Sequence, residues 1–592
     1  MDQAELTAPS VDSAERSVMA STLRGHYETA GCVYRGYLGR SEHARNWGTM
    51  TDWNFAEIFS AVAARVPDRP CQIQGERVIT WRAFEQRSNA LAADLLASGV
   101  THQAKLACYL YNSPEYMESM VGAFKAGMAP VNTNYRYAAE EIVHLFENAD
   151  AEAVVFHAVF TELLEHVRPR LPKVRRWYVV SDDTGNGPSW ATPYESVVGG
   201  QAPLPMPAIE RSGDDLLLLY TGGTTGMPKG VMWRQDDLYN VLGGGGNAIV
   251  GTPPADGIDD LMTRIDVSLS TGPVMIVACP LMHGTGQFSA LNNMALGGCI
   301  VTLANRKFDV AELLSTVQRR AANSIIIVGQ AFAGPMLDHL VEHPNTYDLT
   351  SVGLITSSGV MWSQENKAGL LEFIPQAILF DSFGSSEAVG MGASFSSKGA
   401  PQQTAKFQIG VNCAVFNEDG ARVEPGSGEQ GVVAVGGFIP LGYYKDEAKS
   451  AQTFRMYEGR RWSVPGDFAE VNVDGTLRLL GRGSVCINTG GEKVFPEEVE
   501  EALKTHAGVC DAVCVGIPDQ RFGEVICAVV EAEGDMHLDL AILSDHVKGR
   551  LAHYKAPRHV VIVDTIGRAA NGKVDYKRLK DLAVARLAES GS

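Results

Sequence analysis

Apolar and polar residues run along this chain in two recurring rhythms. Phe55, Ile58, Phe59, Val62 and Val66 recur at the three- and four-residue spacing that places them on one face of a helix. Short unbroken apolar runs at 106–110, 153–155 and 177–180 read as strands buried on both faces. Segments 113–126 and 139–148 carry helical spacing between them. Strands alternating with helices predict parallel sheets covered by helices. The runs 273–282 and 324–328 also read as buried strands, and no run reaches the roughly 18 apolar residues of a membrane span. The last part of the chain has a shorter rhythm: strands at 512–515 and 525–531, a helix at 540–551, a strand at 560–563. It predicts a separate small α+β domain.

Composition changes this picture little. The chain has 592 residues, 45% of them hydrophobic and 20% charged, ample for a large core without metal or disulfide staples. Acidic residues number 69 against 50 basic, a net charge of -19, which argues against nucleic acid as a partner. The ten cysteines are scattered and form no CxxC pair, as expected of reduced thiols in a cytoplasmic protein. Residues 1–50 carry six acidic and five basic side chains and no apolar core of a secretory signal. They are expected to be a flexible extension, with Met50 an alternative start. Glycine is abundant, at 61 residues, and its placement matters more than its number.

The run Leu216-Leu217-Leu218-Leu219-Tyr220 leads into Thr221-Gly222-Gly223-Thr224-Thr225-Gly226-Met227-Pro228-Lys229-Gly230. Glycines let successive N–H groups turn inward, three threonine hydroxyls add donors and Lys229 adds charge, as a polyphosphate requires. The spacing does not fit GxxxxGK[ST], so this is not a Walker loop.

The same segment closely resembles the phosphate loop of the AMP-forming acyl-CoA synthetases, the superfamily that includes luciferases and peptide-synthetase adenylation domains. Gly222 stands where that loop usually has Ser. Further motifs follow in the family's order. Pro280-Leu281-Met282-His283-Gly284 resembles the acyl-pocket segment. Ser357-Ser358-Gly359-Val360 resembles the glycine turn beside adenine. Asp381-Ser382-Phe383-Gly384-Ser385-Ser386-Glu387 resembles the aromatic-Gly-x-Thr-Glu motif, with Ser386 for Thr. Trp462-Ser463-Val464-Pro465-Gly466-Asp467 resembles the Thr-Gly-Asp motif, with Pro465 for Thr. Gly481-Arg482 opens the hinge motif, Gly490-Gly491-Glu492-Lys493 follows, and Asn571-Gly572-Lys573 resembles the catalytic-lysine motif. The resemblance spans about residues 51–592.

The resemblance implies a fold and a chemistry. The fold is α/β, a large N-terminal core of stacked mixed sheets with helices at 51–480, a hinge at 481–488, and a small mobile α+β domain at 489–592. A carboxylic acid attacks the α-phosphorus of ATP, pyrophosphate leaves, and coenzyme A then displaces AMP from the acyl-adenylate. Crowded negative charge makes this a problem of positioning and electrostatics. Lys573, Glu387 and Thr225 are the implied catalytic set, with Glu387 holding Mg²⁺. Thr221, Gly222, Gly223, Thr224, Gly226 and Lys229 would orient the phosphates. Gly359, Asp381, Ser382, Phe383, Gly384 and Ser386 would line the adenine site, with Phe383 stacked on the base. Asp467 would take the ribose hydroxyls, and Arg482 the ribose or phosphate. His283, Gly284 and Gly246, the last in the run Gly243-Gly244-Gly245-Gly246, would border the acyl pocket. Gly490, Gly491 and Glu492 would line the coenzyme A channel. Ser484 occupies the pivot, commonly Asp or Lys.

Two sharper-looking motifs point elsewhere less well. His339-Leu340-Val341-Glu342-His343 fits an HxxEH zinc pattern, but Pro344 ends its helix at once. Gly567–574 nearly fits a Walker loop, but Val574 lacks the hydroxyl and the residues to Ser592 are too few for a downstream βα sheet. The stretch from Tyr220 to Arg234 resembles actinobacterial fatty-acid and steroid side-chain ligases. With the long connection 251–272, it predicts a large hydrophobic acid as substrate. Transfer to a carrier protein and an inactive acyl- or nucleotide-binding homologue are the alternatives; the absence of an appended carrier domain favours free coenzyme A. Any membrane contact is expected to be peripheral, and the oligomeric state, a dimer included, stays open.

Overall fold

The computed structural model describes residues 52–590 apart from 201, 222–226, 248–251, 361, 401–405, 486, 490–491, 520–522, 535, 537, 552 and 569–573. The chain forms two compact units. The first holds the residues up to Thr404 and Gly436–Arg455, the second Ala405–Val435 and Met456 onward.

The first unit opens with the helix Phe55–Arg65. Asn54 caps it by accepting from the Ala56 and Glu57 amides. Its apolar face is the one the spacing predicts: Phe55, Ile58, Phe59 and Val62 are fully buried, and Phe55 stacks on Phe59 and Phe124. Two sheets follow. One runs in the order Gly442–Tyr443, Lys229–Arg234, Leu216–Thr221, Ala129–Asn132, Lys105–Tyr109, Ala151–His157, Arg176–Val180, Thr192–Pro193. From Leu216–Thr221 onward its pairs are parallel, while the first two pairs are antiparallel. The other places Arg77–Thr80, Pro70–Gln74, Cys299–Thr302, Val274–Val277, Ser324–Ile327, Leu354–Ser358, Ile378–Ser385 and Ala388–Ser396 side by side. Its interior pairs are parallel. Helices Pro114–Lys125 and Ala139–Ala149 stand close to the predicted ranges.

The run 273–282 forms a strand only over Val274–Val277. Beyond it Asn112 takes over the backbone groups. Its amide donates to the Cys279 carbonyl at 2.9 Å and its carbonyl accepts from the Leu281 amide at 2.7 Å. The Ala278 and Cys279 amides still donate to the Ile326 carbonyl of the neighbouring strand, and Asn112 holds the groups that follow as the segment leads to His283.

In the second unit, Lys406–Ile409, Thr476–Arg482, Asp467–Val471 and Gln430–Val435 form one antiparallel array. A smaller sheet joins Glu492–Val494, Ile487–Thr489, Gly523–Ala532 and Val509–Asp519, with His559–Val563 parallel to Gly523–Ala532. Alternation along Val509–Asp519 sends Ala512 and Cys514 to one core and Val513, Val515 and Ile517 to another. Helices Pro496–Lys504 and Leu540–Lys548 cover the first core, and Tyr576–Ser590 covers the second. The helix expected to reach 551 ends at Lys548, with Gly549 as its cap. Among the described residues no helix is long and apolar enough to cross a membrane.

Candidate active site

The phosphate-loop segment is the connection of a β-hairpin. Leu216–Thr221 is a buried apolar strand whose last residue, Thr221, pairs with Lys229, the first residue of Lys229–Arg234. The loop is therefore shorter than the ten-residue motif; Gly222, Gly223, Thr224, Thr225 and Gly226 lie outside the described residues. Gly230 is needed for contact: a Cβ there would sit 2.6 Å from the Tyr220 ring. The Tyr220 hydroxyl donates to Asn148 at 2.6 Å.

One buried side chain ties this hairpin to the His283 segment. The Asn132 amide donates to the carbonyls of Tyr220 (2.9 Å) and Met282 (2.7 Å), and its oxygen accepts from the Tyr220 amide (2.6 Å). His283 precedes the helix Gly284–Ala295 as its N-cap residue. Gly284 lies against Leu219 and Phe288. Gly359 has a φ of +91° and lies nearest Val328 and Thr285.

The Glu387 motif forms a second hairpin. Ile378–Ser385 pairs antiparallel with Ala388–Ser396, with Ser385 opposite Ala388, so Ser386 and Glu387 make the connection. Alternation buries Leu379, Asp381 and Phe383 on one face, with Ser382 on the other. Asp381 pairs with Lys367 at 3.0 Å, both buried; burial pushes the carboxyl up and the neighbouring ammonium pulls it back. The Asp381 side chain is thus engaged inside the core. The Trp233 indole, from the phosphate-loop hairpin, donates to the Ser386 carbonyl at 3.0 Å. The Tyr443 hydroxyl donates to Glu387 Oε1 at 2.8 Å. Lys229 Nζ pairs with Asp446 at 2.6 Å. The structure thereby brings Thr221, Lys229, His283, Gly284, Ser386 and Glu387 onto connected elements of one unit.

The glycine run at 243–246 is explained by its own turn. Gly243, Gly244 and Gly245 all have positive φ, and a Cβ at Gly246 would sit 2.4 Å from the Pro253 carbonyl oxygen.

In the second unit, Asp467 is buried and stands opposite Arg482 in the strand register. A Cβ at Gly481 would meet the Glu497 carboxylate, and one at Gly483 the Phe468 ring. Thr489 pairs with Glu492; Gly490 and Gly491 lie outside the described residues, as does Lys573. The described residues flanking Lys573 are well anchored. Arg568 makes a two-pronged bond to Asp511 at 2.6 and 2.8 Å. Tyr576 donates to Glu500 at 3.2 Å, and Glu500, whose carboxyl burial pushes up, accepts from the Cys514 amide.

Among the described residues no three His, Cys, Asp or Glu side chains gather as a metal cage. His339 bonds Tyr347 and its ring meets His343, a pair at a helix end. Mg²⁺ needs no cage: it is commonly held by one or two carboxylates plus substrate phosphates and water. A hard oxygen donor such as Glu387, fixed beside the phosphate-loop hairpin, fits that pattern. Asn132, Tyr443 and Asp446 carry no local sequence signal, because each acts on a partner 56 or more positions away, while Lys367 reaches Asp381 from the preceding helix.

The pattern of a family described as AMP-binding enzyme matches residues 59–444, and that of the AMP-binding enzyme C-terminal domain matches 498–573. The chain is 39% identical over 541 residues to the medium/long-chain-fatty-acid-CoA/3-oxocholest-4-en-26-oate-CoA ligase of Mycobacterium tuberculosis, covering 90% of this chain and 97% of that protein. It is 39% identical over 543 residues to the 3-oxocholest-4-en-26-oate-CoA ligase of Rhodococcus rhodochrous, with the same coverage. An anthranilate CoA ligase solved with anthranoyl-AMP shares its fold at a TM-score of 0.76 and 20% identity, covering 90% of this chain and 98% of that one.

Proposed function

The chain belongs to the AMP-binding enzyme family, and from that premise we propose that it is the acyl-CoA ligase of a large hydrophobic acid, long-chain or steroid-linked. The observation that supports this most is the 39% identity running across nearly the whole length of ligases named for such acids. The acid's carboxylate oxygen attacks the α-phosphorus of ATP, and the bond to pyrophosphate breaks. The thiolate of coenzyme A then attacks the acyl carbonyl and AMP leaves.

Within this reading Thr221, Lys229 and the loop between them orient the phosphates. Glu387 would hold Mg²⁺, which when bound would offset the charge of the triphosphate. Phe383 and Gly359 border adenine, Asp467 and Arg482 the ribose and phosphate, and His283 and Gly284 the acyl group. Lys573 stabilises charge at the transferring phosphoryl group. Ser484 is the pivot about which the C-terminal domain alternates between half-reactions, and Gly490, Gly491 and Glu492 border coenzyme A.

Two experiments test the proposal. Product formation is compared for octanoate, palmitate, benzoate and a cholesterol-derived acid. The large hydrophobic acids should be preferred, and a preference for benzoate would overturn the substrate class. Lys573→Ala should abolish adenylate formation yet leave thioester formation from supplied adenylate largely intact. Equal loss of both would refute that lysine's assignment.

A further inference from the structure

We infer that the segment Gly442–Asp446 is a second support of the polyphosphate site, in which the Tyr443 hydroxyl positions Glu387 and the Asp446 carboxylate positions Lys229. The inference rests on the reading of Glu387 and Lys229 given above.

Gly442 and Tyr443 pair antiparallel with Met232 and Val231. The Leu441 amide donates to the Met232 carbonyl and the Tyr444 amide to the Gly230 carbonyl at 2.7 Å. The segment is thus the outermost strand beside the one that begins with Lys229. A tight turn follows, closed by the Asp446 amide on the Tyr443 carbonyl at 3.2 Å. Ser450 Oγ accepts from the Tyr443 amide at 2.8 Å and donates to the Asp446 carbonyl at 2.7 Å, locking that turn to the next helix. Gly442 admits this hydroxyl: a Cβ there would sit 2.8 Å from Ser450 Oγ.

One rigid turn therefore sets two side chains. Tyr443 donates to Glu387 Oε1 at 2.8 Å, and Asp446 holds Lys229 Nζ at 2.6 Å. The residues between them face another partner. The Tyr444 hydroxyl donates to Asp150 at 2.8 Å and Lys445 pairs with the same carboxylate at 2.6 Å, fastening the turn from its other side.

The Lys229–Asp446 pair is partly exposed on both sides, 42% and 30%. Such pairs add little to stability, so its consequence is geometric: it fixes where one of three ammonium protons points and leaves the others for a phosphate. A hydroxyl on a carboxylate is a charge-assisted bond that removes one rotational choice from Glu387.

The test is calorimetric binding of ATP to the full chain, once with Mg²⁺ and once in EDTA. Tyr443→Phe should weaken Mg-ATP about ten-fold, the size of one charge-assisted bond, and leave metal-free ATP unchanged. Glu387→Gln should share that pattern, and adding Tyr443→Phe to it should change nothing more. Asp446→Asn and Lys229→Ala should each weaken both forms about equally, while Asp446→Glu should recover most of the loss. If Glu387→Gln and Lys229→Ala leave both affinities intact, the underlying assignment of these residues fails. If those two variants bind weakly but Tyr443→Phe and Asp446→Asn stay within two-fold of wild type, or bind more tightly, the inference about the segment fails.

Discussion

Removing the Asn132 amide should loosen the site at its root. The residue is 4% exposed. Its three hydrogen bonds serve the Tyr220 amide, the Tyr220 carbonyl and the Met282 carbonyl. Asn132→Ala leaves all three without that partner. At about 1 kcal/mol for each buried group, the lower end of the usual cost, the loss is about 3 kcal/mol. The first unit has about 400 residues, so its unfolding entropy is about 0.8 kcal/mol per kelvin and the melting midpoint should fall by about 4 °C. Asn132→Asp keeps the shape but sets a carboxylate against two carbonyl oxygens. That environment favours the protonated acid, whose folded pKa is then raised above its unfolded value. The folded state of this variant binds more protons over the window between the two, so its stability falls as pH rises through it. Its midpoint should be nearer wild type at pH 5 than at pH 8. Tyr220 leads into Thr221 and Met282 precedes His283, so both variants should also raise KM for ATP and for the acid. Wild-type melting and KM in Asn132→Ala would show that Asn132 does not hold the two segments together.

Three further outcomes follow from buried groups. Lys367→Met strands the Asp381 carboxylate in the core and should cost about 3–5 kcal/mol at pH 7, read as a lowered urea midpoint; the double variant Lys367→Met/Asp381→Leu should recover most of it, and no recovery would show the pair is not the cause. His157 is buried, accepts from the Tyr111 amide, and is lowered by burial from its usual 6.5 to about 4. The unfolded chain binds the extra proton between those values, so this contribution, about 3 kcal/mol, is complete above pH 6.5 and lost as pH falls toward 4; His157→Gln should flatten the melting midpoint over that window. Gly246→Ala would place a methyl 2.4 Å from the Pro253 oxygen and should lower the melting midpoint far more than Gly284→Ala, whose nearest neighbour is at 3.3 Å.

What was legible in the chain was what is local. The helix over Phe55–Arg65 follows from five apolar residues on one face, and the buried strands from unbroken apolar runs. The segment 221–230 stood out because glycines, threonines and a lysine crowd into ten residues, and its phosphate role remains part of the proposal. The supporting residues were not, because their partners are remote. Asn132 reaches residues 88 and 150 positions away, and Asp446 reaches Lys229 across 217. No local periodicity carries such pairings; they emerge only when the strands of the sheet are laid side by side. The run 273–282 is a strand only over Val274–Val277, and beyond it the backbone groups are shared between Ile326 and the remote side chain of Asn112. The glycines at 243–246 have a local reason of their own, since three have positive φ and a Cβ on the fourth would meet the Pro253 carbonyl, a close approach set by a backbone seven positions on.

The central claim is that this protein joins a hydrophobic acid to AMP before any thiol is involved. Exchange of labelled pyrophosphate into ATP, measured without coenzyme A, tests that step alone. Exchange should depend on a long-chain or steroid-linked acid and on Mg²⁺, and should disappear in Lys573→Ala. Absence of exchange with every acid supplied, by a folded wild-type protein, would contradict it.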